Sequence, residues 1–129
     1  TGTGSVVLSA APTFTGTVGF SVISATGDIT SNTSDDRLKD KLGNIENALD
    51  KVCTLNGFTY THNSLAQSMG LSGKEEVGVS AQEIDLVLPQ AIAPAPINPK
   101  YMTVRYEKIV PLLIEAIKEL NLRVETLEK

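Results

Sequence analysis

The stretch Val110-Pro111-Leu112-Leu113-Ile114-Glu115-Ala116-Ile117-Lys118-Glu119-Leu120-Asn121-Leu122-Arg123-Val124-Glu125-Thr126-Leu127 decides how this chain must fold. Val110, Leu113, Ile117, Leu120, Val124 and Leu127 follow one another at steps of three, four, three, four and three. This is the spacing of a single apolar seam along a helix, with β-branched residues at the a positions and leucine at d. From Tyr106 to Lys129 there is no glycine, and the only proline, Pro111, sits near the start, where a first helical turn tolerates it. A long C-terminal helix over 106–129 is the reading. Ile109, Leu112, Ile114 and Ala116 widen the apolar face in the first half, so that half is expected to pack on its own domain first. From Asn121 onward little else in the chain is left to cover the seam, which points to self-association. The alternative is a helix lying along its own small domain. Valine or isoleucine at a with leucine at d by itself favours two helices over three, but under three full heptads that preference is weak.

Working back from the helix, the middle of the chain is mixed. A short amphipathic helix fits Asn44 to Cys53, with Ile45, Leu49 and Val52 on one face and Asn44 as its N-cap. The same spacing turns Cys53 towards the apolar side, as a small core residue. Leu55 to Thr61 alternates like a strand entered through a turn, and Ser64 to Lys74 reads as a surface loop. Glu76 to Ser80 suggests a second short strand, and Ala81 to Leu88 a helix stopped by Pro89. Pro89, Pro94, Pro96 and Pro99 fall so close together that an irregular connector is expected there.

The first 33 residues differ from the rest. They hold Gly2, Gly4, Gly16, Gly19 and Gly27, many serines and threonines, and a single charge, Asp28. Val6-Val7-Leu8, Phe14 to Val18 and Phe20 to Ile23 are β-prone pieces punctuated by glycine. Such strands bury little on their own but suit a fibrous stem made with neighbouring chains; an unstructured lead is the alternative. The expected class is α+β: stem strands over 1–33, then a domain over 34–129 with a small helix-and-strand body and the closing helix.

Bulk properties narrow the function. A chain of 129 residues, 41% hydrophobic and 20% charged, suits one domain. Its net charge of −4 and eleven scattered basic residues give no basic stripe, so nucleic-acid binding is not expected. No apolar run approaches the roughly 20 residues that a membrane-spanning helix needs. The opening Thr1-Gly2-Thr3-Gly4-Ser5 has no basic-then-apolar pattern, so a signal peptide is not expected and the chain reads as an internal segment of a longer protein. One cysteine excludes an intrachain disulfide framework and a multi-cysteine zinc site, and no metal or cofactor is expected.

Most catalytic sets are missing. His62 is the only histidine, and Gly70-Leu71-Ser72-Gly73-Lys74 lacks the spacing of a phosphate-cradling loop. Glu75-Glu76 and Asp35-Asp36 are adjacent pairs, whose side chains diverge instead of facing each other. What remains is Thr33-Ser34-Asp35-Asp36-Arg37-Leu38-Lys39, where the neutral segment meets the charged one. A serine hydroxyl needs a base to become a nucleophile, and a desolvated lysine amine can serve. One turn can bring Lys39 to Ser34. Taken alone, such residues at a domain boundary are more often a helix cap with solvated charge.

Ser34-Asp35-Asp36-Arg37-Leu38-Lys39 resembles the Ser-Asp-x-Arg-x-Lys signature of the intramolecular chaperone and auto-processing domains of phage endosialidase tailspikes, L-shaped tail fibres and neck appendages. A similar domain occurs in the myelin regulatory factor transcription factors. Leu49 to Val52 with Leu55 to Tyr60, Val77 to Ile84 with Val87-Leu88-Pro89, and Tyr106 with Pro111 to Leu120 resemble three further blocks, in order. Upstream, Leu8 to Val18 resembles tail-fibre stem sequence. His62 departs from the pattern, which has an aromatic such as Trp before Asn63.

The resemblance implies an intertwined homotrimer, two identical chains being the partners of each, that holds three upstream stems of the same polypeptide in register. It implies a Ser34 nucleophile with Lys39 as base, cleavage in cis at Ser34, and Asp35 and Arg37 orienting the segment. Gln82 and Glu83 are expected near the site, and the Val110–Leu127 seam between the three helices. It implies work in the host cytoplasm during virion assembly and absence from the mature particle, with neither nucleic acid nor membrane as a partner. A trimeric fibre tip that stays attached and binds a receptor is the structural alternative. A processing module of a membrane-tethered transcription factor is the other, and the charge-poor lead speaks against it.

Overall fold

The structure is a computed structural model and describes residue 10 and residues 12–129. The β-prone piece Val6-Val7-Leu8 lies outside the described residues. Two compact units make up the chain, one ending at Lys41 and the other Leu42–Lys129. In the first, Phe14 to Val18 and Phe20 to Ile23 form no strand, and Phe14, Phe20, Val22 and Ile23 are exposed. A strand needs a partner edge to satisfy its N–H and C=O groups, and these residues have none among the described residues of the single chain.

The second unit is a mixed body with a long closing helix. Its elements are α1 (Ala48–Cys53), β1 (Phe58–Thr61), α2 (Ser64–Ser68), β2 (Glu75–Gly78), α3 (Ala81–Val87), β3 (Ile92–Ala95), β4 (Asn98–Val104) and α4 (Val110–Glu128), with single 3₁₀ turns at Pro89–Ala91 and Tyr106–Ile109. The strands form two separate antiparallel hairpins. In one, β1 pairs with β2, Phe58 opposite Gly78; in the other β3 pairs with β4, Ile92 opposite Val104. Gly78 stands where a side chain would be tight: an added Cβ would lie 3.1 Å from the Tyr60 ring and 3.3 Å from the Tyr106 hydroxyl, so the rings would have to shift by a few tenths of an ångström.

Three expectations need correcting. The proline-rich stretch is a hairpin, not an irregular connector, because Pro94 lies on a strand at the edge of a two-stranded sheet, beside a shift of register at Pro94/Ala95. Ser64–Ser68 is a helical turn, capped by the Asn63 side chain, which accepts from the Ala66 N–H at 2.9 Å. Finally, α1 begins at Ala48 and not at Asn44, after Asn47 in the left-handed region, and Asn44 instead donates to Glu115 at 3.1 Å. With Ala48 and Val52 turned inwards, Cys53 is rotated about 100° away and is exposed.

The core is small and almost entirely aliphatic: Ala48, Ile84, Leu88, Ala91, Leu112 and Ala116, with Val52, Val104 and Ile109 packed around it. Ile84 and Leu112 are fully buried, which contributes about 1.5–3 kcal/mol each. Leu112 and Ala116 lie one turn apart on α4, and Glu119 continues that stripe. The Glu119 carboxylate accepts from the Ala48 N–H at 2.7 Å and the Leu49 N–H at 3.3 Å, so it caps α1 from another helix. The Asn47 side chain, at the usual capping position, makes no capping bond. Glu119→Ala should lower stability by about 1–2 kcal/mol in a thermal or urea melt. Glu125→Ala, on the exposed part of the same helix, should change it by less than about 0.5 kcal/mol.

Candidate functional site

Residues 36–38 form a single 3₁₀ turn, in the unit that ends at Lys41. Asp35 precedes it in an extended conformation and caps it, its carboxylate accepting from the Arg37 N–H at 2.8 Å. The Arg37 guanidinium turns back on the same carboxylate, Nε to Oδ1 at 3.1 Å and Nη2 to Oδ2 at 2.9 Å, a two-pronged pair. Backbone bonds from Leu38 to Asp35 and from Lys39 to Asp36 close the turn. Ser34 and Lys39 are left on its two flanks. Across it the Lys39 Nζ donates to the Ser34 Oγ at 2.7 Å.

That distance would let the amine, once neutral, take the hydroxyl proton. Both side chains are exposed in the single chain. Around them the turn is tied down twice more: the Thr33 Oγ1 accepts from the Asp35 N–H at 3.3 Å, and the Lys41 Nζ donates to Asp36 Oδ2 at 3.1 Å. Sequence reasoning assigned nothing to Thr33 or Lys41. The signal for Lys41 was present, because Asp36 and Lys41 repeat the five-residue separation of Ser34 and Lys39.

The other expected residues lie in the second unit. Gln82 and Glu83 are in the first turn of α3, which Ser80 caps by accepting from the Glu83 N–H at 3.3 Å. The Glu83 carboxylate accepts from the Asn56 backbone N–H at 3.1 Å and from its side chain at 3.2 Å. Its visible work is to hold the entry to β1. Gln82 lines the wall of an open groove of about 580 Å³ with Phe58, Tyr60, His62, Tyr101 and Tyr106. His62 meets Tyr60 edge to face, with centroids 5.3 Å apart. The six seam residues of α4, Val110, Leu113, Ile117, Leu120, Val124 and Leu127, are between 42% and 84% exposed. The seam therefore stands on the face that the body leaves uncovered. Among the described residues no group of three or more His, Cys, Asp or Glu side chains is placed to hold a metal ion, and no helix is long and apolar enough to cross a membrane.

With this geometry in view, residues 34–93 match the family model described as chaperone of endosialidase, which bears the name of a peptidase family. Residues 34–93 of the chain belong to that family. The match begins at Ser34. Among its relatives, the long tail fiber protein Gp37 of Enterobacteria phage K3 is 42% identical over 98 residues, covering 74% of this chain and 8% of that protein. Gp37 of Enterobacteria phage T2 is likewise 42% identical over 98 residues, covering 74% and 7%. Gp37 of Enterobacteria phage Ox2 is 33% identical over 97 residues, covering 74% and 38%. The chain thus spans less than a tenth of the first two relatives.

The Arg37 side chain first, and then its backbone N–H, hold the Asp35 carboxyl below the usual carboxylate range, and the same pair raises Arg37. A depressed carboxyl supports the turn above its ordinary pKa of about 4, and that support is lost as pH falls through the lowered value. In a carboxyl NMR titration the Asp35 midpoint should rise towards the ordinary value in Arg37→Ala. An unchanged midpoint would mean that the pair does not persist in solution.

Proposed function

We propose that the chain is the C-terminal intramolecular chaperone of a phage tail fibre, a trimer that aligns three upstream stems and then cuts itself free at Ser34. The observation that carries this reading is the 2.7 Å approach of Lys39 Nζ to Ser34 Oγ at the first residue of the family match. The relatives support the fibre, since each is a long tail fiber protein. The uncovered seam of α4 supports the oligomer, and residues 1–33, rich in short β-prone pieces, supply the end of the stem. Pairing strands from three chains is non-local and prone to slipped register. A clamp that holds the chains together raises their effective concentration and sets which residues meet.

In the cleavage step Lys39, as a neutral amine, takes the Ser34 Oγ proton while Oγ attacks a neighbouring backbone carbonyl. Attack on the Thr33 carbonyl closes a five-membered ring; attack on Ser34's own carbonyl would close a strained four-membered one. The Thr33–Ser34 bond is therefore the target. The Oγ–C bond forms, the C–N bond breaks, and the proton on Lys39 passes to the departing Ser34 amine. Water then hydrolyses the ester, restoring the Ser34 hydroxyl and leaving a carboxylate on Thr33. Lysine is a base only when burial strips its amine of water, so the exposed pair of the single chain must be covered before it can react. Assembly would thus precede cutting, and release would leave the stem kinetically trapped. The reaction belongs in the host cytoplasm during virion assembly.

The same exposure is what a fibre tip that stays attached would show, and intact mass with native mass separates the two. The parent chain should be a trimer and yield two fragments meeting between Thr33 and Ser34. Ser34→Ala should remain whole, and Lys39→Met should cut about 100-fold more slowly or worse. An uncut trimer in the parent would establish the attached tip instead.

A further inference from the structure

Numbering the α4 seam as heptads, with Val110, Ile117 and Val124 at a, places Ala116 and Arg123 at g and Ile114, Asn121 and Glu128 at e. Over the first heptad the flanks are not equivalent. Ala116 is buried against the body, whereas Ile114 is half exposed beside the seam. Beyond Leu120 the body no longer covers either flank, and Arg123 and Glu128 both stand in solvent. In parallel, in-register helices a g residue faces the e residue five positions later on its neighbour, and Arg123 and Glu128 have that separation. Antiparallel helices would instead set g against g and e against e, with Arg123 opposite Ala116 over the length of α4, so no Arg123–Glu128 pair would form.

We infer that Arg123 of each chain pairs with Glu128 of the partner subunit, and that this ion pair fixes the parallel register of the α4 helices. The surface is an interface between copies of this chain, and the inference rests on the trimer reading above. Within the single chain Arg123 has only a loose partner, Asp50, with Nη2 to Oδ1 at 3.4 Å and both side chains largely exposed. A guanidinium carries five donors, so it can keep Asp50 and still reach across to the next helix. Asn121 at the preceding e position is turned along its own helix, donating to Glu125 at 3.3 Å. With Ala116 and Asn121 at the preceding pair of facing g and e positions, the charged pair falls in the last heptad. Parallel register also suits a clamp on stems, because three stems entering at one end need their helices to leave at the other.

Sedimentation equilibrium on the whole chain tests this by charge exchange. Arg123→Glu and Glu128→Arg should each raise the half-dissociation concentration about tenfold, three pairs being lost at once. The double exchange should return it to within about threefold of the parent. Asp50→Asn, which removes only the intrachain contact, should leave it unchanged. A trimeric parent whose double exchange stays as weak as the single variants would overturn the ion pair while leaving the trimer intact. A parent that is monomeric at every concentration would overturn the trimer and this inference with it. A second readout is independent of affinity. Leu127→Cys in a Cys53→Ser background puts the thiol at a d position, where parallel helices bring the copies together, so it should form interchain disulfides under mild oxidation; a failure to do so in a trimer would rule out parallel register.

Discussion

Everything in the body hangs on one stripe of α4. Leu112 and Ala116 fill the core and Glu119, one turn further on, holds the open end of α1. Because a helix turns 100° per residue, committing that stripe to the body forces Val110, Leu113, Ile117, Leu120, Val124 and Leu127 onto the other side. The helix cannot satisfy both faces within a single chain. A hydrophobic row left exposed along most of its length is the kind of surface that marks an interaction site. The buried stripe and the exposed seam are two consequences of the same periodicity.

Much of this was legible in the sequence. The closing helix, its seam, the two short strands of the first hairpin and α3 with its stop at Pro89 all follow from spacing and punctuation. What was not legible depended on long-range partners. Asn44 has the right chemistry for a cap, yet the cap of α1 is Glu119, and no local pattern links positions 48 and 119. The second hairpin was hidden because prolines usually end regular structure, and only its place at the edge of a two-stranded sheet makes Pro94 compatible with pairing. At the candidate site the Ser34–Lys39 approach and the Asp35–Arg37 pair are short-range, so a single turn places them. The roles suggested for Gln82 and Glu83 depended on resemblance alone, and the contacts these residues make serve α3 and β1.

The site couples a fixed geometry to a variable environment. Asp35, Arg37, Thr33, Asp36 and Lys41 fix the turn through contacts within a few residues, which form wherever this segment folds. In the proposed cleavage, reactivity would depend on something else, the removal of water from a lysine that is exposed in the single chain. Under the proposed cleavage, separating the two would let a chain carry its machinery assembled but idle. The same separation explains why such a short motif says so little by itself: half of its chemistry is supplied by surroundings that the motif does not encode.

The prolines of the second hairpin have a consequence of their own. Pro94 gives β3 a residue with no N–H to offer, and Pro96 and Pro99 flank the turn and the start of β4. A strand so interrupted is a poor template for another strand to join. Upstream lies a segment with β-prone pieces, of which Phe14 to Val18 and Phe20 to Ile23 form no strand. A body with inviting edges would compete for those pieces and cap them wrongly. On the proposed function, a body built this way could gather adhesive strands without becoming one of them.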